Sequence, residues 1–197
     1  MIFAGVDEVG RGALFGVVAA CAVLLDADRA SYLQSLGVKD SKCLSAKRRE
    51  MLAHRIRSIA LDCQIGVATV AEIDSLNILR ASGLAMERAI AQLSPPPDHC
   101  YIDGNQPIQW QIIPPIPQTT IVKGDQVHPA ISCASIVAKV WRDQQMVQLA
   151  AIYPVYDLAQ NKGYGTAKHR QAIREFGYSD QHRRSFYPSR LFDEDKF

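Results

Sequence analysis

Ile2-Phe3-Ala4-Gly5-Val6-Asp7-Glu8-Val9-Gly10-Arg11-Gly12 is the stretch on which the reading of the whole chain turns. A short apolar run with the composition of a buried strand ends in two adjacent carboxylates and passes at once into a glycine-flanked arginine. Adjacent anions repel and resist desolvation, so a chain that holds them at a strand end has use for a cation, and a divalent ion is the natural partner. An isolated Asp-Glu pair is more often a solvated acidic turn, and only the remaining sequence separates the two readings. Regular pleating would also send the two side chains to opposite faces, so a shared site requires the strand to end or bulge at Asp7 and Glu8.

Working outward, Leu14 to Leu25 reads as a second strand joined to the first by a tight turn at Gly10 and Gly12, and Ile65 to Val70 as a third. Ser45 is placed to cap an amphipathic helix that runs to about Ile59, and Ser75 to Leu93 carries apolar residues at helical spacing. Ser94-Pro95-Pro96-Pro97 stops that helix. Two short strands follow, Cys100 to Gly104 and Thr119 to Lys123, each closing on a carboxylate, Asp103 and Asp125, where open α/β sheets tend to place their chemistry. Pro129 opens a long helix to about Ile152, and a last helix spans about Ala167 to Phe176. This alternation predicts an α/β fold, a mixed sheet flanked by helices, in one domain over 1–197 with a smaller helical part from about 153 onward.

Composition is that of a globular chain: 197 residues, 48% apolar and 21% charged. A net charge of +2 excludes a polybasic arm or an acidic tail as the main device, but the charge is unevenly spread. Lys39 to Arg57 holds seven basic residues against two acidic ones, and Lys162 to Arg190 repeats that excess of +5. Two basic stretches around an acidic centre suit a phosphodiester polymer gripped by its backbone, although two solvated helix faces would look the same. The five cysteines, Cys21, Cys43, Cys63, Cys100 and Cys133, contain no Cys-x-x-Cys, which argues against zinc ribbons and for reduced thiols in a cytoplasmic protein. The longest apolar run, Ala13 to Leu25, is shorter than the ~20 residues a bilayer requires.

Asp7, Glu8, Asp103 and Asp125 are thus four carboxylates that a sheet can gather from distant parts of the chain. They could not all ionise unassisted, whereas Mg²⁺ or Mn²⁺ prefers such hard oxygen ligands. Two ions ~4 Å apart would stabilise both oxygens of an in-line displacement at phosphorus. In order along the chain, Asp7-Glu8-Val9-Gly10-Arg11-Gly12, Asp40-Ser41-Lys42, Tyr101-Ile102-Asp103-Gly104, Lys123-Gly124-Asp125, Ser132 to Asp143 and His182-Arg183-Arg184-Ser185-Phe186 resemble ribonuclease HII of the bacterial type. Each block alone is weak; six in sequence are specific.

The resemblance implies a ribonuclease H-like mixed five-stranded sheet and cleavage of the RNA strand in RNA–DNA hybrids, including single ribonucleotides in duplex DNA. It also implies Mg²⁺ or Mn²⁺ dependence, with 3′-hydroxyl and 5′-phosphate products. Asp7, Glu8, Asp103 and Asp125 match the metal-binding acids, and Gly10-Arg11-Gly12 matches the loop that senses the ribose 2′-hydroxyl. Tyr164 resembles the tyrosine that stacks on the next, deoxy sugar, and Lys42, Ser132, Ser135 and Lys139 look like phosphate contacts. Helix capping and packing remain open for the two serines. His169 and His182, in basic polar stretches, are expected on the DNA backbone, Arg183 is expected among the substrate contacts, and Asn77 and Asn105 are turn or cap residues as readily as ligands. Val9 replaces the family's usual alanine, a departure that removes no ligand. The sister ribonuclease HIII generally carries an extra N-terminal domain, and the early position of Asp7 argues against it. A monomer is the expected state, and Arg190-Leu191-Phe192 alone does not establish a sliding-clamp peptide.

Overall fold

In the computed structural model, which describes residues 1–38 and 44–186, the described residues form a five-stranded sheet of order β3-β2-β1-β4-β5. β1 (Phe3–Val9), β2 (Val18–Leu25) and β3 (Asp62–Ala68) are an antiparallel meander, while β4 (His99–Asp103) and β5 (Gln118–Ile121) add in parallel on the other side of β1. Every residue of β2 is buried, which is why its sequence is a continuous apolar run and not an alternating one.

Helices cover both faces. On one, Ala4, Val6, Ala20 and Leu24 pack against Ala81, Ala85, Ala89 and Ile90 of α4 (Ile78–Ala91). On the other, Cys21, Val23 and Leu25 meet Ala130, Cys133, Ala134 and Val137 of α6 (Pro129–Ile152), with α1 (Ala27–Ser35) and α2 (Ala46–Ile59) outside it. The α6 backbone presses on β1 so closely that a Cβ at Gly5 would lie 2.1 Å from the carbonyl carbon of Ala130. That contact fixes α6, and everything it carries, relative to the end of β1. A third apolar cluster, including Phe15, Met146, Tyr156, Leu158 and Ile173, joins the far end of α6 to α7 (Leu158–Asn161) and α8 (Ala167–Phe176).

Two expected elements are redrawn. The helix expected over Ser75 to Leu93 is two helices, α3 (Val70–Leu76) and α4, split at Asn77. Asn77 adopts φ 69°, and its side chain accepts from the amides of Leu79 and Arg80, so it is a cap. The strand expected from Leu14 begins only at Val18. Residues before it turn away, pairing Ala13 with Tyr164 and Phe15 with His182, because their carbonyls are held by buried arginines described below. Cys21, Cys63, Cys100 and Cys133 are free thiols, and no helix among the described residues is long and apolar enough to cross a membrane.

Candidate active site

β1 pairs with β2 along its whole length but with β4 only from Phe3 to Val6. β4 stops at Asp103, so Asp7, Glu8 and Val9 have a strand on one side and an open edge on the other. The pleat requires an end or a bulge at the acids for a shared site; the strand does neither, and its neighbour ends instead. Pleating sends Asp7 toward α6 and Glu8 toward α4, and both reach around the open edge to Asp103. Asp7, Glu8 and Asp103 each offer a carboxylate oxygen, and those oxygens lie within 4.8 Å of one another.

Asp125 is adjacent to this triad and outside that 4.8 Å group. It sits in the short helix α5 (Gly124–Val127), which Lys123 enters in a left-handed conformation, φ 56°. Its backbone amide donates to Asp103 Oδ1 at 3.3 Å, and the hydroxyl of Ser132 donates to its carbonyl at 2.7 Å. Its charge also acts on Asp7.

Burial and mutual repulsion set the electrostatics of the cluster. Burial, then the charges of Glu8 and Asp103, hold the Asp7 carboxyl well above the usual range, against a hydrogen bond from Ser135. Burial also raises Glu8, opposed by the Arg11 guanidinium 3.0 Å from its Oε1. Glu8 Oε2 is buried with no hydrogen-bond partner among the described residues. An orphaned carboxylate oxygen beside two further carboxylates is the donor set of a hard divalent cation, so the residues present fit Mg²⁺ or Mn²⁺.

Gly10, Arg11 and Gly12 follow as a turn closed by the Ala13 amide on the Gly10 carbonyl, 3.3 Å. Gly10 has φ +86°, and a Cβ there would lie 2.2 Å from Nε of Arg142, so two separate constraints demand glycine. A Cβ at Gly12 would meet nothing within 4 Å, leaving room beside the loop. Tyr164, between Gly163 and Gly165, is brought alongside by the bridge to Ala13, with Lys139 Nζ 5.9 Å and Arg142 Cζ 5.7 Å from its ring centre. Lys139 also pairs with Asp143 at 2.7 Å.

Four expected substrate contacts are corrected. Arg183 is fully buried and donates to the carbonyls of Gly10, Arg11, Gly16 and Val17, so it supports the loop from behind and does not face a DNA backbone. His169 and His182 are buried as well, their Nε2 atoms 3.3 Å apart, with His169 Nδ1 3.0 Å from the Tyr164 carbonyl and His182 Nδ1 accepting from the Ser179 amide, so neither faces a DNA backbone. Ser132 is buried with its hydroxyl donating to the carbonyls of Asp125 and His128, which ties α5 to the start of α6, while Ser135 hydrogen-bonds Asp7. Lys42 lies outside the described residues. Arg142, whose place on a helix among polar neighbours gives no sign of it in the sequence, is fully buried too.

The chain matches the family model described as Ribonuclease HII over residues 4–188. It is 60% identical over 185 residues to a ribonuclease HII of Trichodesmium erythraeum (strain IMS101), covering 94% of this chain and 86% of that one. Among solved structures it is similar to the ribonuclease H2 of Pyrococcus horikoshii OT3, with TM-score 0.77, 26% identity, and coverage of 94% and 93%. It is similar also to the ribonuclease HII of Archaeoglobus fulgidus in its complex with PCNA, with TM-score 0.75, 27% identity, and coverage of 95% and 96%.

Proposed function

The chain belongs to the ribonuclease HII family, and on that premise we propose that it cuts both the RNA strand of RNA–DNA hybrids and the 5′ side of single ribonucleotides embedded in duplex DNA. Metal-dependent endonuclease action on hybrid RNA follows from the membership itself. The finer reading is hydrolysis with two divalent ions, Mg²⁺ or Mn²⁺, leaving 3′-hydroxyl and 5′-phosphate ends. One observation carries it: Asp7, Glu8 and Asp103 present oxygens within 4.8 Å of each other at an open sheet edge.

In this reading Asp7, Glu8, Asp103 and Asp125 hold the ions, which supply a Lewis acid and an activated water for displacement at phosphorus. Ser135 orients the Asp7 carboxylate, and Arg11 restrains Glu8. Gly10-Arg11-Gly12 meets the ribose, where glycines let backbone amides approach the 2′-hydroxyl that separates RNA from DNA. Tyr164 stacks on the following sugar, and Lys42, Ser135 and Lys139 serve the phosphates. We read 1–197 as one catalytic domain whose helical part from about 153 contributes to the duplex surface. The PCNA complex of the Archaeoglobus relative makes a sliding clamp a candidate partner, and the segment the sequence offers for it, Arg190-Leu191-Phe192, lies outside the described residues.

The test is a labelled duplex containing one ribonucleotide, beside an all-RNA strand on DNA, incubated with Mg²⁺, Mn²⁺ or EDTA. A metal-dependent nick on the 5′ side of the ribonucleotide is expected. Cutting of the hybrid alone would remove the single-ribonucleotide activity, and no metal-dependent nick in either duplex would refute the enzyme reading.

A further inference from the structure

Arg142 and Arg183 are two fully buried guanidiniums with no carboxylate in an ion pair with either among the described residues. They are close enough that the charge of Arg142 helps burial pull the Arg183 pKa down to about 9, which still leaves it protonated at neutral pH. Buried like charges side by side are unfavourable, and apolar side chains in their place are often neutral or stabilising, so stability alone does not explain them.

Their hydrogen bonds do. Arg183 Nη1 reaches the carbonyls of Gly10 at 2.7 Å and Arg11 at 3.0 Å, while its Nε and Nη2 take Gly16 at 2.8 Å and Val17 at 2.9 Å. Arg142 takes Phe15 at 3.0 Å, Val17 at 3.3 Å and, across the gap, Lys162 at 2.8 Å. A planar trans peptide points its carbonyl and the next amide in opposite directions. With the carbonyls of Gly10 and Arg11 drawn inward onto one guanidinium, the amides of Arg11 and Gly12 are turned the other way, away from that guanidinium. The same pair of arginines ties this loop to Lys162, two residues before Tyr164.

We propose that Arg183, backed by Arg142, is a positioning residue that fixes the Arg11 and Gly12 amides as a preoriented donor pair for the 2′-hydroxyl of the substrate. This rests on the reading of Gly10-Arg11-Gly12 as the sugar-sensing loop. The planar five-donor fork is what the job requires, since a lysine would keep the charge yet cannot hold four carbonyls at fixed angles.

The experiment compares wild type with Arg183→Lys on two otherwise identical duplexes, one with a single ribonucleotide and one with a 2′-fluoro nucleotide in its place. Wild type is expected to cleave the ribonucleotide far faster. In Arg183→Lys the ribonucleotide kcat should fall about 100-fold, the scale of a misplaced reacting geometry. KM should stay near wild type and the slow 2′-fluoro rate should change little, so the ratio between substrates collapses. Arg183→Ala should behave alike and recover with millimolar guanidinium but not with equal sodium chloride. Wild type cleaving both duplexes equally would overturn the reading of the loop, and this proposal with it. A wild type that discriminates beside an Arg183→Lys variant that folds and keeps the same ratio overturns the proposal alone. If neither variant folds, Arg142→Lys, which loosens the second guanidinium on the Phe15, Val17 and Lys162 carbonyls without touching the loop's own residues, is scored by the same ratio and the same two outcomes.

Discussion

On either side of the Gly10-Arg11-Gly12 turn lies a buried charge cluster, and the two are opposite in more than sign. Among the described residues, the acids at the end of β1 include an ion pair from Arg11 to Glu8 and leave Glu8 Oε2 without a hydrogen-bond partner. Beneath the turn, Arg142 and Arg183 make seven hydrogen bonds to backbone carbonyls of the chain itself. Among the described residues the first cluster keeps an unmet carboxylate oxygen, Glu8 Oε2, while the second gives its donors to the chain's own carbonyls. Incompleteness marks a binding site, and closure marks a scaffold, even though burial perturbs the ionisation of both.

The sharpest way to break that contrast is to neutralise one acid. Asp7→Asn keeps the shape and a partner for Ser135 while removing the most strongly perturbed charge. Turnover should fall by at least about 10³, more than the loss of one transition-state donor usually causes. Duplex affinity should stay within about threefold, because backbone contacts made elsewhere supply most of it. Single-turnover cleavage and binding titrations on the same preparation separate the two quantities. An Asp7→Asn enzyme of normal rate would take Asp7 out of the mechanism.

Much of this was readable in the residues. Strong periodicity with a cap or a proline placed α2, α6 and α8 within a residue of their bounds, and Ser45 and Thr166 cap two of them as their side chains suggest. The convergence of Asp7, Glu8 and Asp103 was readable too, but its cause was not: the site opens because β4 is shorter than β1, a matter of pairing that one strand's pattern cannot carry. Helix α1 has an N-cap in Asp26 but buries only Ala30 and Leu33, too narrow a stripe to stand out. Arg183 and His169 misled because basic residues in a polar tract look exposed. Their burial depends on the residues of 10–17 leaving the sheet, a tertiary contact between segments far apart in sequence.

Acid tests the closed side next. The Ser179 amide donates to His182 Nδ1, so neutral His182 carries its proton on Nε2 and gives it to His169 Nε2, whose Nδ1–H then reaches the Tyr164 carbonyl. Every member is satisfied only while both rings are neutral. Burial, then the neighbouring ring, lowers His182 from 6.5 to about 4, and burial lowers His169 in the same direction. A depressed histidine binds its proton more readily unfolded, so stability present above pH 6.5 is lost as pH falls toward about 4, by up to about 3 kcal/mol. Denaturant titrations across that range should show the slope, and His182→Asn should flatten it. An unchanged slope in that variant would break the ring-to-ring chain.

The smallest effect sharpens the comparison most. In EDTA the raised Asp7 pKa means the fold binds that proton more tightly than the unfolded chain does, so stability falls as pH rises above the ordinary 3.8. Asp7→Asn removes the penalty at neutral pH and should make the metal-free protein more stable by about 1 kcal/mol, a gain in stability from a change that abolishes turnover. Mn²⁺ at about 100 times its dissociation constant should then stabilise wild type by about 2.7 kcal/mol and the variant far less, reversing their order. No added ion should reverse the order of wild type and Arg183→Lys, because that cluster already has its partners within the chain. Thermal melts of the three proteins with and without Mn²⁺ read this directly. If wild type outlasts Asp7→Asn in EDTA and Mn²⁺ shifts neither, the acids are as closed as the arginines, and the distinction between site and scaffold fails.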